Sequence, residues 1–122
     1  MNNMVSWFEI PAKDLERAKT FYSKVFGKEL TDMKMGDMVM SSFPWQDGAP
    51  FSGGALVKSK GYVPSSSGTV VYFYCEDAAV EQSRVEKNGG KVVLPKTGIG
   101  DNGFIAHILD TEGNRVGLHS WK

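Results

Sequence analysis

Phe8-Glu9-Ile10-Pro11 leads through Asp14 into a helical pattern that stops at Gly27-Lys28, and Tyr72-Phe73-Tyr74-Cys75 leads through Asp77 into a second that stops at Gly90-Lys91. Asp14 and Asp77 lie 63 residues apart, and so do Gly27 and Gly90. A fixed offset of this kind marks a duplicated unit. The fold then depends on the strands after the helix in each copy and on how the copies pack.

Residues 4–10 alternate between faces and are rich in aromatic and β-branched types, which predicts a strand with Phe8 and Ile10 on one side and Trp7 and Glu9 on the other. Asp14 is placed to cap a helix in which Ala18, Phe21, Tyr22 and Val25 recur at helical spacing, and Gly27 supplies the stop. Strands are predicted over 28–34 and 38–43, joined at Gly36-Asp37, and over 51–57 after the turn-rich stretch 44–50. The first module, 1–58, thus reads βαβββ. Residues 59–68, with Gly61, Pro64 and Ser65-Ser66-Ser67, have linker chemistry. The second module, 69–122, repeats the order. It has a strand over 69–75, a helix from Asp77 through Lys87 ended by Asn88-Gly89-Gly90, a strand over 91–94 and a loop over 95–102. Strands over 104–109 and 115–120 complete it, joined by a tight turn at Asp110–Asn114.

Neither module can bury a helix and a whole sheet face alone, so the pattern predicts an α+β fold in which two βαβββ modules pair about a pseudo-twofold axis. Their curved sheets would enclose a cleft. Val71 and Phe73 are expected to face their helix, and Val70, Tyr72 and Tyr74 the cleft. In the last hairpin Val116 and Leu118 cover the helix side, which leaves Arg115, Gly117 and His119 inward, with His107 opposite Gly117.

The chain of 122 residues suits one domain. Fourteen basic residues balance fourteen acidic ones without a long run of either sign, so charge points to neither a nucleic-acid nor an anionic-membrane partner. No apolar run approaches the ~20 residues of a membrane span, and Met1-Asn2-Asn3-Met4 lacks the basic start of a signal peptide, which makes the cytosol the expected compartment. Cys75 is the lone cysteine and is expected to be a small buried hydrophobe. The glycines at 98, 100 and 103 are not succeeded by the lysine-serine pair and helix start of a phosphate loop.

The duplicated βαβββ unit resembles the vicinal oxygen chelate superfamily, which includes glyoxalase I, bleomycin-resistance proteins, fosfomycin-resistance enzymes and extradiol dioxygenases. The likeness rests also on the helix entry Asp14-Leu-Glu-Arg-Ala-Lys-Thr-Phe-Tyr22, the exit Val25-Phe-Gly27 and the closing Asp110-Thr-Glu-Gly-Asn-Arg-Val-Gly-Leu-His119. It covers nearly the whole chain and is strongest to small glyoxalase-related proteins. It implies four inward metal-ligand positions, which the motifs and the repeat offset place at Trp7, Gly54, Val70 and Gly117. None of these side chains can coordinate a divalent metal, so the expectation is a protein without the usual metal and without another cofactor. The resemblance also implies a homodimer.

Glu9 is an acid in an otherwise apolar strand and, part-buried, would suit proton transfer; the alternative is that it pairs with Arg115 or accepts a tyrosine hydroxyl. His107 and His119 are candidates for acid, base or improvised ligand roles, against the plainer reading of hydrogen-bonded strand residues. Trp7, Tyr72 and Tyr74 offer flat surfaces to a planar ligand, with room left by Gly54 and Gly117. Met33, Met35, Met38 and Met40 either wall an apolar site or simply pack. The expected function is metal-free binding of a small apolar or aromatic molecule against Trp7, Val70, Tyr72 and Tyr74, with Glu9 as anchor and His107, Arg115 and His119 around it. The alternative is a glyoxalase-related lyase or isomerase using a relocated metal or catalysis by Glu9 and His107.

Overall fold

The computed structural model describes residues 1–122, apart from the side chain of Met35. The first module comprises β1 (Trp7–Pro11), α1 (Leu15–Phe26), β2 (Thr31–Met35), β3 (Met38–Ser42) and β4 (Gly53–Lys58). The second comprises β5 (Tyr72–Tyr74), α2 (Ala78–Gln82), β6 (Lys91–Gly98), β7 (Phe104–Leu109) and β8 (Arg115–Ser120). Each module forms one four-stranded sheet, ordered β1-β4-β3-β2 and β5-β8-β7-β6. In each the first strand runs parallel to the last, and the other pairs are antiparallel. The α+β architecture of two βαβββ units is therefore present.

α1 forms where its apolar stripe predicts: Leu15, Ala18, Phe21, Tyr22 and Val25 are buried, Asp14 accepts from the Arg17 N–H at 3.0 Å, and Gly27 ends the helix at φ +66°. The second helix is much shorter than the sequence suggests. After Gln82 the chain passes through a turn into a 3₁₀ segment, Glu86–Asn88. Ser83 Oγ donates to the Val80 carbonyl at 2.6 Å and Asn88 Nδ2 to the Arg84 carbonyl at 2.7 Å, and such local bonds compete with helical ones. The strand expected at 91–94 instead runs on to Gly98, through Pro95. β6 is an edge strand with register shifts on either side of Leu94, where a residue without an N–H is tolerated. β5 is only three residues long, although Val71 O still accepts from Gly117 N at 2.9 Å and Cys75 N donates to His119 O at 2.7 Å.

One apolar core runs through both modules, with Ile10 and Leu56 of the first sheet, Phe21 and Val25 of α1, and Ile108 and Leu118 of the second sheet in contact through it. An aromatic group seals the join. Phe73 lies 4.8 Å from Phe26 and 5.3 Å from Phe43, and meets Phe8 edge-on at 5.8 Å. Of the methionines, Met40 is buried against Ala55 and Val57 with Met38 packed on the same group, and Met33 is exposed; the Met35 side chain lies outside the described residues.

The second module also grips both ends of α1. At the N-terminus Glu112 Oε1 accepts from the Lys13 and Asp14 N–H groups, each at 2.9 Å, and Arg17 closes on the same carboxylate at 2.8 and 3.0 Å. At the C-terminus Arg84 Nη1 donates to the Val25 carbonyl at 3.0 Å. An acid at the positive end of the helix dipole and a cation at the negative end are both favourable placements. Beneath, the buried Tyr22 hydroxyl donates to Asp110 Oδ2 at 2.7 Å, and Asn114 Nδ2 donates to both that oxygen and the Pro11 carbonyl.

Candidate functional site

β1 and β5 are the edge strands that meet at the module join, and a groove of about 1380 Å³ opens along them. Trp7, Tyr72 and Tyr74 line it, as do Val70 and His119. Trp45 and Trp121 also line it, so all three tryptophans of the chain face one space. A smaller depression of about 650 Å³ beside Lys60 and Tyr62 contains none of the candidate residues.

Gly54 is not in the groove. It pairs with Phe8 in β1, and a side chain there would collide with the Phe8 ring on the helix-facing side. The pairings Trp7 with Gly53 and Tyr72 with Gly117 show why. The first strands of the two modules keep the 63-residue offset, so Glu9 is the counterpart of Tyr72; its partner Ala55 is then the counterpart of Gly117, 62 residues before it. The offset slips by one between helix and final strand: the second module takes four more residues from Gly90 to the end of β7 than the first takes from Gly27 to the end of β3, and five fewer in the connection that follows. A one-residue slip moves a side chain to the opposite face of a strand. With this register the four positions that the resemblance assigns to metal ligands become Trp7, Ala55, Val70 and Gly117, and none has a side-chain donor for a divalent cation. Among the described residues no three His, Cys, Asp or Glu side chains come together as a metal site requires. The residues present do not fit the superfamily's metal.

Glu9 differs from expectation in its surroundings: it is exposed rather than part-buried. Its Oε1 accepts from the Tyr62 hydroxyl at 2.9 Å and its Oε2 from the Trp7 indole N–H at 3.3 Å, so it orients the Trp7 ring. The Glu9 bond, and then burial, push the Tyr62 hydroxyl above its ordinary pKa. Arg115 does not reach Glu9. Its Nη1 donates to His107 Nδ1 at 3.1 Å, while His107 Nε2 lies 2.6 Å from the Tyr72 hydroxyl. His107 stands opposite Gly117, and a side chain at Gly117 would collide with the Tyr72 ring. Burial first, and the Arg115 charge second, lower the His107 pKa from its ordinary value. His119 Nε2 donates to the Asn102 carbonyl at 2.8 Å, and its ring meets Trp121 at 4.9 Å. Glu9, His107 and Arg115 are thus engaged in two separate sets of hydrogen bonds, and contrary to expectation neither they nor Gly117 are among the residues that line the groove.

Several groove residues carry no periodic sequence signal. Trp45 and Phe51 sit in the β3–β4 connection and Trp121 lies just beyond the last strand. Large aromatics in a Pro- and Gly-rich loop are themselves a hint of a binding loop. Among the described residues Phe51 is the one non-glycine with positive φ, +74°, and its ring lies 5.6 Å from that of Tyr74. Glu81, on α2, also lines the groove, with Oε1 buried and unpartnered among the described residues. Burial first, and then the Glu81 carboxylate, push the Cys75 thiol up to about 12, which keeps it protonated and inert.

Residues 5–44 match the family described as bleomycin resistance protein-like N-terminal. A glyoxylase-like domain-containing protein of Didymella fabae is 31% identical over 117 residues, covering 93% of this chain and 91% of that protein. The crystal structure of a glyoxalase/bleomycin resistance protein from Streptomyces sp. CB03234 matches with a TM-score of 0.72 at 26% identity, over 94% of this chain and 98% of that one. That of a glyoxalase/bleomycin resistance protein from Albidiferax ferrireducens T118 matches with a TM-score of 0.71, over 95% and 97% of the two chains; at 17% identity it speaks for the fold alone.

Proposed function

Because this chain belongs to the vicinal oxygen chelate superfamily, we propose that it is a small-molecule-binding member that holds a planar aromatic or apolar molecule in the groove along β1 and β5 without the divalent metal. One observation carries this reading. Six aromatic side chains line the groove and remain exposed: Trp7 (41%), Tyr72 (46%), Tyr74 (43%), Trp45 (66%), Phe51 (69%) and Trp121 (60%). A folded chain seldom leaves so much contiguous aromatic surface in water unless something covers it. A flat ligand laid between such rings removes apolar area at roughly 25 cal/mol per Å² and adds ring-to-ring contacts.

Tryptophan fluorescence reports directly on this site. Titration with the neutral probes naphthalene and 4-nitroanisole is expected to quench it saturably, with Trp7→Ala and Tyr74→Ala each weakening binding several-fold. Quenching that stays linear with both probes would sink the reading. Protein purified without chelator is expected to carry far less than one equivalent of metal by elemental analysis; a tightly held equivalent would overturn the metal-free part alone. The chain is further proposed to work as a homodimer in the cytosol, which sedimentation equilibrium tests for the first point and fractionation for the second.

A further inference from the structure

Besides the imidazole of His119, two charged side chains line the groove: Lys28, which is exposed, and Glu81, which is half-buried. Glu81 forms no ion pair among the described residues, and its Oε1 is buried without a donor. The nearby Cys75 thiol directs its proton to the Phe73 carbonyl, at 3.7 Å, and does not supply one. Water screens the charge of an exposed lysine far more than that of a half-buried carboxylate, so the fixed field of the groove is negative on balance. A carboxylate withdrawn from water without a counter-charge is costly, and a cation in the groove relieves that cost across several ångströms without a hydrogen bond to it.

Trp7 adds to this polarity. Its indole N–H donates at 3.3 Å to Glu9, whose carboxylate has no cationic partner among the described residues either. The ring thus carries an anion at its edge. Trp45 meets it over Gly53, where a side chain would come within 2.6 Å of Trp45 and 3.3 Å of Trp7. Two indole rings therefore share one stretch of the groove wall, and the indole face is the best aromatic partner for a cation.

We propose that the groove selects planar aromatic cations, such as heteroaromatic rings with a quaternary nitrogen, with Trp7 and Trp45 as the π surfaces and Glu81 as the counter-charge. This rests on the binding function proposed above. A neutral ring of the same shape gives up no ionic hydration and has the larger hydrophobic drive into the groove. A preference for the cation can then come only from the charges and rings of the site.

The test compares N-methylquinolinium with 1-methylnaphthalene, which share an outline and differ by one charge, by equilibrium dialysis against the full chain at neutral pH and low salt. Wild type should bind the cation about tenfold more tightly. Added salt should weaken binding of the cation and not that of the neutral probe. Glu81→Gln should lower the affinity for the cation about fivefold, while that for 1-methylnaphthalene stays within about twofold and so reports an intact groove. Wild type that binds 1-methylnaphthalene equally or more tightly, cation binding that salt does not weaken, or a preference that Glu81→Gln leaves unmoved would overturn the proposal while leaving the binding function standing. The two wild-type measurements decide the matter even if the variant does not fold. Failure of both probes to bind would overturn both.

Discussion

Both carboxylate oxygens of Glu112 are engaged, with two backbone N–H groups at the start of α1 on Oε1 and Arg17 spanning the pair. Its side chain is fully buried. Burial alone would raise its pKa, but the bonds from Arg17, the Asp14 N–H and Thr111 outweigh that and hold it at about 2, against an ordinary 4.5. A carboxyl whose folded pKa is depressed stabilises fully above its unfolded value and loses that contribution as pH falls towards the folded one. Glu112→Gln is therefore expected to cost about 1–2 kcal/mol at neutral pH, discounted because Arg17 is half in solvent. The gap from wild type should close as the pH falls from about 4.5 to about 2. Urea unfolding at a series of pH values measures this, and a gap that is constant across that window would refute it.

The connection between β3 and β4 is the element that distinguishes the first module from the second. It carries Trp45 to the groove and holds Phe51 at φ +74°, a conformation that costs a side chain roughly 1–2 kcal/mol. Phe51→Gly should relieve that cost and leave thermal stability unchanged or slightly higher, while naphthalene affinity falls several-fold. A lower melting temperature with unchanged affinity would show that the ring serves the fold and not the groove. The same connection marks where sequence reading stops working. α1 and the last hairpin are legible because their apolar periodicity and turn residues act over a few neighbours, and the hairpin register sets His107 against Gly117. Gly54 is misread because a repeat offset carries no information about loop length, and one residue decides the face. α2 is cut short by side-chain bonds from Ser83 and Asn88 that a hydrophobic pattern does not register. Strand alternation puts Trp7, Tyr72 and Tyr74 towards the groove, but Phe8, Val71 and Phe73, which it assigns to the helix side, line the groove as well, because it opens at the strand edges and takes in both faces. Trp45, Phe51 and Trp121 reach it from outside the strands, through tertiary packing.

On the scale of the whole molecule, the second module holds the helix of the first at both ends and shares one core with it, yet the covalent joint between them is a surface segment. That segment is fastened at Ser65, whose carbonyl accepts from Arg115 N at 3.3 Å and whose N–H donates to Asn114 Oδ1 at 3.0 Å. A chain cut between Ser66 and Ser67 would keep every one of these contacts. Peptides 1–66 and 67–122, each unable to cover its own helix and sheet, are expected to be unfolded apart and to recover native circular dichroism when mixed at micromolar concentrations. Fragments that fold alone, or that stay unfolded together, would contradict this. The grip on α1 thus makes peptide continuity replaceable by mass action, so the two halves could serve as a complementation pair whose reunion assembles the groove from separate polypeptides.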